Sequence, residues 1–183
     1  TYIFNFVSPK DLDDKTTYIL FPLHYEPEVQ LLSYSAPYSD QLDVIKKISL
    51  SLPIGCKLLV KEHPLMIGRR KSNFLNEIIQ LGNTLLVDPS HNVNKYLKYS
   101  NLVVTLGSSV SIDALMKNIP VITIGSTLAN IFDDQLVTKL DSFHNLYQHI
   151  KQALSKDLVS SNAELKILKM INVVKTHCLG VDF

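Results

Sequence analysis

A chain of 183 residues with 46% hydrophobic content is long enough to bury one core of ordinary size, so a single α/β domain with an appendage is expected. Eighteen basic and seventeen acidic residues leave a formal charge of +1, which excludes the electrostatic footprint of a nucleic-acid or anionic-membrane binder; any phosphate site has to be local. The only two cysteines, Cys56 and Cys178, lack metal or redox spacing and fit a reducing cytosol, no apolar run approaches the roughly 20 residues of a membrane span, and no secretory signal opens the chain, so a soluble protein without a zinc site is expected.

The first residue is Thr, which reads as a processed product or an excised part of something longer. Residues 1–16 hold one apolar patch, Tyr2 to Val7, then Ser8, Pro9 and a charged turn, and read as an arm or linker. Thr16 to Leu23, TTYILFPL, is a buried-type strand. It runs into a long polar and aromatic loop carrying His24, Tyr25, Glu26, Pro27, Glu28, Tyr34, Pro37 and Tyr38. A loop of this kind at the end of a parallel strand is where open α/β sheets bind ligands, so His24 and Glu26 are candidate site residues beside the reading of an ordinary surface loop.

Asp40 to Leu52 places Leu42, Ile45, Ile48 and Leu52 at helical steps, and Pro53-Ile54-Gly55 ends the helix. Cys56 to Val60 is the next strand and delivers Lys61, Glu62, His63 and Pro64 to the same sheet edge as the first loop. Pro64 restricts His63 to an extended backbone, holding the imidazole at the strand tip, while Lys61 and Glu62 are free to pair with each other at the surface. Arg69, Arg70 and Lys71 read mostly as the solvated start of a helix from about Ser72 to Leu81, with a nearby anionic partner as the alternative. Thr84 to Val87 is a third strand, and Asp88 to Asn92 a loop into a short helix, Val93 to Lys98.

The segment YSNLVVTLGSSVSIDALMKNIPVITIG, Tyr99 to Gly125, reads as strand, glycine turn, helix, strand. Leu102 to Leu106 is the strand, Gly107 the turn, and the helix begins at Ser108 or Ser109 and runs to Lys117 before Pro120. A helix start offers amide N–H groups and the positive end of the dipole, and two hydroxyls add donors: a seat for a phosphate, or simply a pair of capping serines. Val121 to Ile124 is a fifth strand; residues 127–138 read as loop or short helix, and Ser142 to Leu154 and Asn162 to Val174 as helices, with His144 and His149 as surface residues.

Strands and helices alternating with short connections predict a doubly wound parallel sheet whose ligand sits beyond the carboxyl ends of the strands. The loops after Leu23, Glu62 and Leu106 share that edge, so His24, His63 and Ser108/Ser109 are expected as neighbours.

Three segments, FPLHYEP at Phe21 to Pro27, LLVKEHP at Leu58 to Pro64, and Tyr99 to Gly125, resemble the bacterial capsular polysaccharide biosynthesis family that includes Kdo transferases. The resemblance spans roughly residues 16–126. An HP pair after one strand and an SS pair after a later one is also similar to bacterial sialyltransferases and to the glycerophosphotransferases of teichoic acid synthesis, whose shared leaving group is a cytidine phosphate.

The resemblance implies a Rossmann-like domain corresponding to the C-terminal, nucleotide-binding half of a GT-B glycosyltransferase. It implies that His63 contacts the donor phosphate and assists the leaving group, and that Gly107, Ser108, Ser109, Glu62 and Pro64 form the phosphate-binding part, with His24 and Glu26 on the donor-site loop. No metal or other cofactor is implied beyond a CMP-linked sugar donor. The implied partners are the nucleotide sugar and a glycan or glycolipid acceptor held by another domain or chain, in the cytoplasm, with peripheral association at the inner face of the membrane.

On this basis residues 1–15 are the arm, 16–140 the nucleotide-sugar-binding domain and 141–183 C-terminal helices packing on it, the last crossing over to the missing half. Two other readings stay open: a non-catalytic binding or assembly module of a polysaccharide-synthesis complex, and an epimerase-like enzyme acting on nucleotide sugars.

Overall fold

The computed structural model describes residues 5–27, 38, 40–125, 127–131 and 136–155. The loop positions Glu28, Tyr34 and Pro37, the helix expected over Asn162 to Val174, and Cys178 lie outside the described residues.

Six parallel strands, β1 (Thr17–Pro22), β2 (Cys56–Lys61), β3 (Thr84–Val87), β4 (Ser100–Thr105), β5 (Val121–Ile124) and β6 (Val137–Leu140), form one sheet in the order β3-β2-β1-β4-β5-β6. The chain therefore winds outward from β1 to β3, returns to place β4 on the other side of β1, and winds outward again. This is the Rossmann-like, doubly wound order, and its direction of winding reverses between β1 and β4.

Period-two alternation sends Ile19 and Phe21 of β1 to one face and Tyr18 and Leu20 to the other. The first face, with Leu58, Val60, Leu102 and Val104, is covered by α1 (Gln41–Leu50), α2 (Ser72–Ile79) and α5 (Leu146–Ser155) through Val44, Ile45, Ile48, Ile78 and Ile150. The second, with Leu59 and Val103, is covered by α3 (Val93–Leu97) and α4 (Val110–Met116) through Tyr96, Leu97, Ala114 and Leu115. Burial on both faces is why these strands read as near-continuous apolar runs. Asp40 caps α1, its carboxylate accepting from the amides of Leu42 (3.0 Å) and Asp43 (3.2 Å), and Asn92 caps α3 in the same way.

The expected elements change in three places. Residues 127–138, read as loop or short helix, hold a 3-10 turn over Leu128–Ile131 and the start of a sixth strand. β6 is an edge strand of four residues whose Thr138 and Lys139 keep contact with solvent, so it lacks the apolar run that marks the inner strands. α5 starts at Leu146, after Asn145 takes a left-handed φ of 58°, and not at Ser142. α4 starts at Val110, so both serines precede its first full residue.

The segment before β1 is docked on the sheet. Val7 bridges Val87 in parallel, its N–H donating to Leu86 O (2.8 Å) and its carbonyl accepting from Asp88 N (3.0 Å), and Leu12 is buried. Among the described residues no helix is long and apolar enough to cross a membrane.

Candidate functional site

All six strands point their carboxyl ends to one edge, and the loops after β1, β2 and β4 carry the chemistry-bearing residues there. β1 lies between β2 and β4, so those two strand ends are about 10 Å apart.

Beyond β1 the chain turns over Leu23 and His24. His24 is buried, and its backbone is held on both sides by the Gln41 side chain: the His24 N–H donates to Gln41 Oε1 at 2.7 Å and the Gln41 amide donates back to His24 O at 3.3 Å. Gln41 is the first residue of α1 and is also buried; its amide donates in addition to Glu26 Oε1. One side chain thus ties the β1 loop to the start of the next helix.

At the end of β2, Lys61 and Glu62 are both buried, and they do not form the surface pair expected from sequence. The Lys61 ammonium donates to the carbonyls of Pro89 (2.9 Å) and Glu62 (3.2 Å), and burial pulls its pKa below the usual lysine value while the carboxylates of Asp88 and Glu62 resist the shift. The Glu62 carboxylate uses both oxygens: Oε1 accepts from the His63 N–H at 2.7 Å, and Oε2 from Arg70 Nε at 2.6 Å.

His63 has the extended backbone that Pro64 demands, φ −68° and ψ 132°, and its Nδ1 accepts from the Leu65 N–H at 3.2 Å. With Nδ1 in use as an acceptor, the neutral ring carries its proton on Nε2. The Tyr25 ring meets the imidazole edge-on, centroids 6.1 Å apart. Pro64 itself opens a 3-10 turn and is exposed.

Arg70 corrects the reading of the basic run as a solvated helix start. Its side chain is only 3% exposed, and the anionic partner is the protein's own: besides Glu62, Nη1 pairs with Glu26 Oε2 at 2.9 Å and Nη2 donates to His24 O at 2.7 Å. The guanidinium also lies over the Phe74 ring, 4.6 Å from its centroid.

Beyond β4, Gly107 takes φ 117°, which non-glycine residues rarely adopt. The turn is braced from within. Thr105 Oγ1 accepts from the amides of Ser108 (2.9 Å) and Gly107 (3.3 Å), and Ser108 Oγ accepts from the Val110 N–H (3.2 Å). The cap is therefore supplied by Ser108; Ser109, already helical at φ −59° and ψ −19°, makes no side-chain cap and is exposed.

The structure brings His24, Glu26, Glu62 and His63 together around Arg70, and sets Gly107, Ser108 and Ser109 on the other side of β1. Sequence reasoning missed Gln41 and Thr105 and misjudged Arg70. No local signal singles out Arg70 from Arg69 and Lys71, since two of its three partners lie on the loop after β1. Among the described residues no group of three or more His, Cys, Asp or Glu side chains is placed to hold a metal ion.

The chain is similar in fold to several solved structures. A β-Kdo 2,7 transferase, KpsC of Thermosulfurimonas dismutans, aligns with a TM-score of 0.56 and 18% identity over 87% of this chain and 55% of its own. The UDP-GlcNAc 2-epimerase of Methanocaldococcus jannaschii aligns with a TM-score of 0.62 and 15% identity over 90% of this chain and 46% of its own. A glycosyltransferase of Rickettsia africae gives 0.58 and 15% over 89% and 44%. The chain thus spans about half the length of the structures it matches. No curated protein sequence matches it. Residues 4–173, nearly the whole chain, match the family described as capsule polysaccharide biosynthesis protein, and with the parallel sheet and the HP and SS turns at its carboxyl edge this chain belongs to that family.

Proposed function

We propose that this chain is the donor-binding half of a glycosyltransferase that moves a sugar from a CMP-activated donor to a glycan or glycolipid acceptor in bacterial surface polysaccharide synthesis. The observation that supports it is the placing of a braced imidazole, His63, and a glycine-serine turn, Gly107 to Ser109, on either side of the point where the sheet reverses its winding.

When a sugar leaves its nucleotide, negative charge grows on the phosphate. A donor already oriented there stabilises the transition state without reorganising. His63 suits this role because its Nδ1 is held by the Leu65 amide, which leaves its Nε2–H as an oriented hydrogen-bond donor to the phosphate oxygen on which charge grows. Ser109, exposed at the start of α4, is the hydroxyl free to meet phosphate oxygens, with Ser108 shaping the turn beneath it. Arg70 is committed to protein partners at all three nitrogens and does not serve as a phosphate ligand. On this reading the chain works in the cytoplasm, at the inner face of the membrane, and the acceptor and the base that activates it belong to another domain or chain.

A second reading, an epimerase-like enzyme on UDP-sugars, is favoured by the fold likeness to the M. jannaschii enzyme. Calorimetric titration with CMP, CDP, UMP and UDP separates the two. Cytidine-selective binding that weakens in a Ser108/Ser109 double alanine variant supports the transferase. Uridine-selective binding favours the epimerase-like reading, and no binding by a folded chain leaves a non-catalytic assembly module.

A further inference from the structure

We infer that Arg70 is a positioning residue that sets both walls of the donor site: through Glu62 it aims His63, and through Glu26 and the His24 carbonyl it fixes the loop after β1. The assignment rests on the reading of His63 as the residue that meets the donor phosphate.

Three observations carry it. First, each nitrogen of the guanidinium has its own partner on a different part of the site: Nε on Glu62 after β2, Nη1 on Glu26 and Nη2 on His24 O after β1. A guanidinium carries its donors on three nitrogens fixed in one plane and so reaches three separated acceptors at once, whereas a lysine ammonium has its three N–H groups on a single nitrogen at the end of a flexible stem. Second, the link to His63 is direct and short. The carboxylate that Arg70 grips with one oxygen takes the His63 backbone N–H with the other, at 2.6 and 2.7 Å. Rotation of the Glu62 carboxylate would therefore shift the backbone that carries the imidazole. Third, Arg70 is itself immobilised, 3% exposed and stacked on Phe74 in the first turn of α2, so the brace is anchored to the body of the domain.

The charge count gives the same answer. One guanidinium faces two carboxylates, Glu62 and Glu26, so its charge is spent inside the protein. A buried cation near an expected phosphate site would ordinarily be taken for a phosphate ligand; here it is a support for the residue that is.

The test is NMR of the whole chain as parent, Arg70→Lys, Glu62→Gln and the double variant, with Lys46→Ala as a control that breaks an α1–α2 ion pair away from the cluster. The His63 amide proton and imidazole nitrogens are followed, and affinity for CMP and UDP is measured by calorimetry. The expected result is an upfield move of the His63 amide and a changed imidazole signature in Arg70→Lys and in Glu62→Gln. The double variant repeats the single ones without summing them, and Lys46→Ala leaves His63 unmoved. Affinity for whichever nucleotide the parent binds falls about tenfold in Arg70→Lys. A folded Arg70→Lys chain with parental His63 resonances overturns the assignment, as does an additive double variant.

If Arg70→Lys does not fold, the isosteric Glu62→Gln decides: the Arg70 Nε–H and His63 N–H resonances must move together, and movement of the first alone overturns it. A parent that binds neither nucleotide defeats the donor-site reading, and the His63 resonances then judge Arg70 by themselves.

Discussion

Arg70 Nε and Glu62 Oε2 meet at 2.6 Å with side chains 3% and 7% exposed, forming an ion pair sealed between the ends of β1 and β2. Its nearest comparison is Lys46–Glu77, which joins α1 to α2 with side chains 42% and 44% exposed. The two pairs are chemically alike and energetically unlike, because only the first has lost its water.

Arg70→Ala strands a buried carboxylate and is expected to cost about 3–5 kcal/mol of stability. Lys46→Ala, in contrast, is expected to cost no more than about 1 kcal/mol. Urea unfolding followed by circular dichroism checks the contrast. Equal losses from the two variants would mean that the Glu62 carboxylate regains water once Arg70 is removed and is not stranded.

His63→Ala is expected to lower turnover by about 10²–10³-fold, the usual worth of one oriented donor to a developing oxyanion, while changing nucleotide affinity much less. The assay needs a preparation shown to be active with parental His63. Unchanged turnover would remove the imidazole from the reaction. The Ser109→Ala variant is expected to weaken nucleotide binding at little cost in stability, whereas Ser108→Ala removes the bond to the Val110 amide and costs about 1 kcal/mol as a lost cap.

Gln41→Ala is expected to destabilise the chain by about 1–3 kcal/mol, because it leaves the buried His24 N–H without its 2.7 Å acceptor. Gln41→Glu keeps that acceptor and brings a second carboxylate against Glu26, so it is expected to lose stability as pH rises through the carboxylate range. Thermal melts of both variants across pH 4–8 check the pair; identical melting at all pH values for parent and Gln41→Ala would show that the loop is held by something else.

Burial, reinforced by the Asp88 charge, pushes the Tyr96 phenol up to about 12 from its ordinary value of 10.0. The sign follows from linkage: the folded chain holds this proton more tightly than the unfolded one. The resulting stability is full below pH 10 and drains away as pH climbs toward 12. The same hydroxyl reaches the carbonyls of Val7 (3.1 Å) and Asp88 (3.2 Å), so it also clamps the segment before β1. Ultraviolet difference titration of parent against Tyr96→Phe is expected to isolate a phenol ionising well after the exposed tyrosines. A difference spectrum centred at pH 10 would refute the buried clamp.

Much of the fold was legible in the residues because its signals are local. The apolar runs of β1, β2 and β4, the spacing of Leu42, Ile45, Ile48 and Leu52 at α1, and the glycine after β4 each announce a conformation within a few residues of themselves. Pro64 likewise dictated the extended backbone of His63. β6 escaped because an edge strand half open to solvent carries no apolar run.

What the chain's order alone decided, then, is an alternating α/β domain of a parallel sheet, with His63 and the Gly107-Ser108-Ser109 turn at strand ends, since strand ends and glycine turns are properties of neighbouring residues. Only the tertiary structure decided who meets whom there. Arg70 takes its three partners, Glu62, Glu26 and His24, from positions 8, 44 and 46 residues away, and nothing in Arg69-Arg70-Lys71 distinguishes the buried cation from its two exposed neighbours. That choice is made when β2 pairs with β1 and carries Glu62 next to the His24 loop. At that point a carboxylate stripped of water is stable only if a guanidinium is stripped of water beside it.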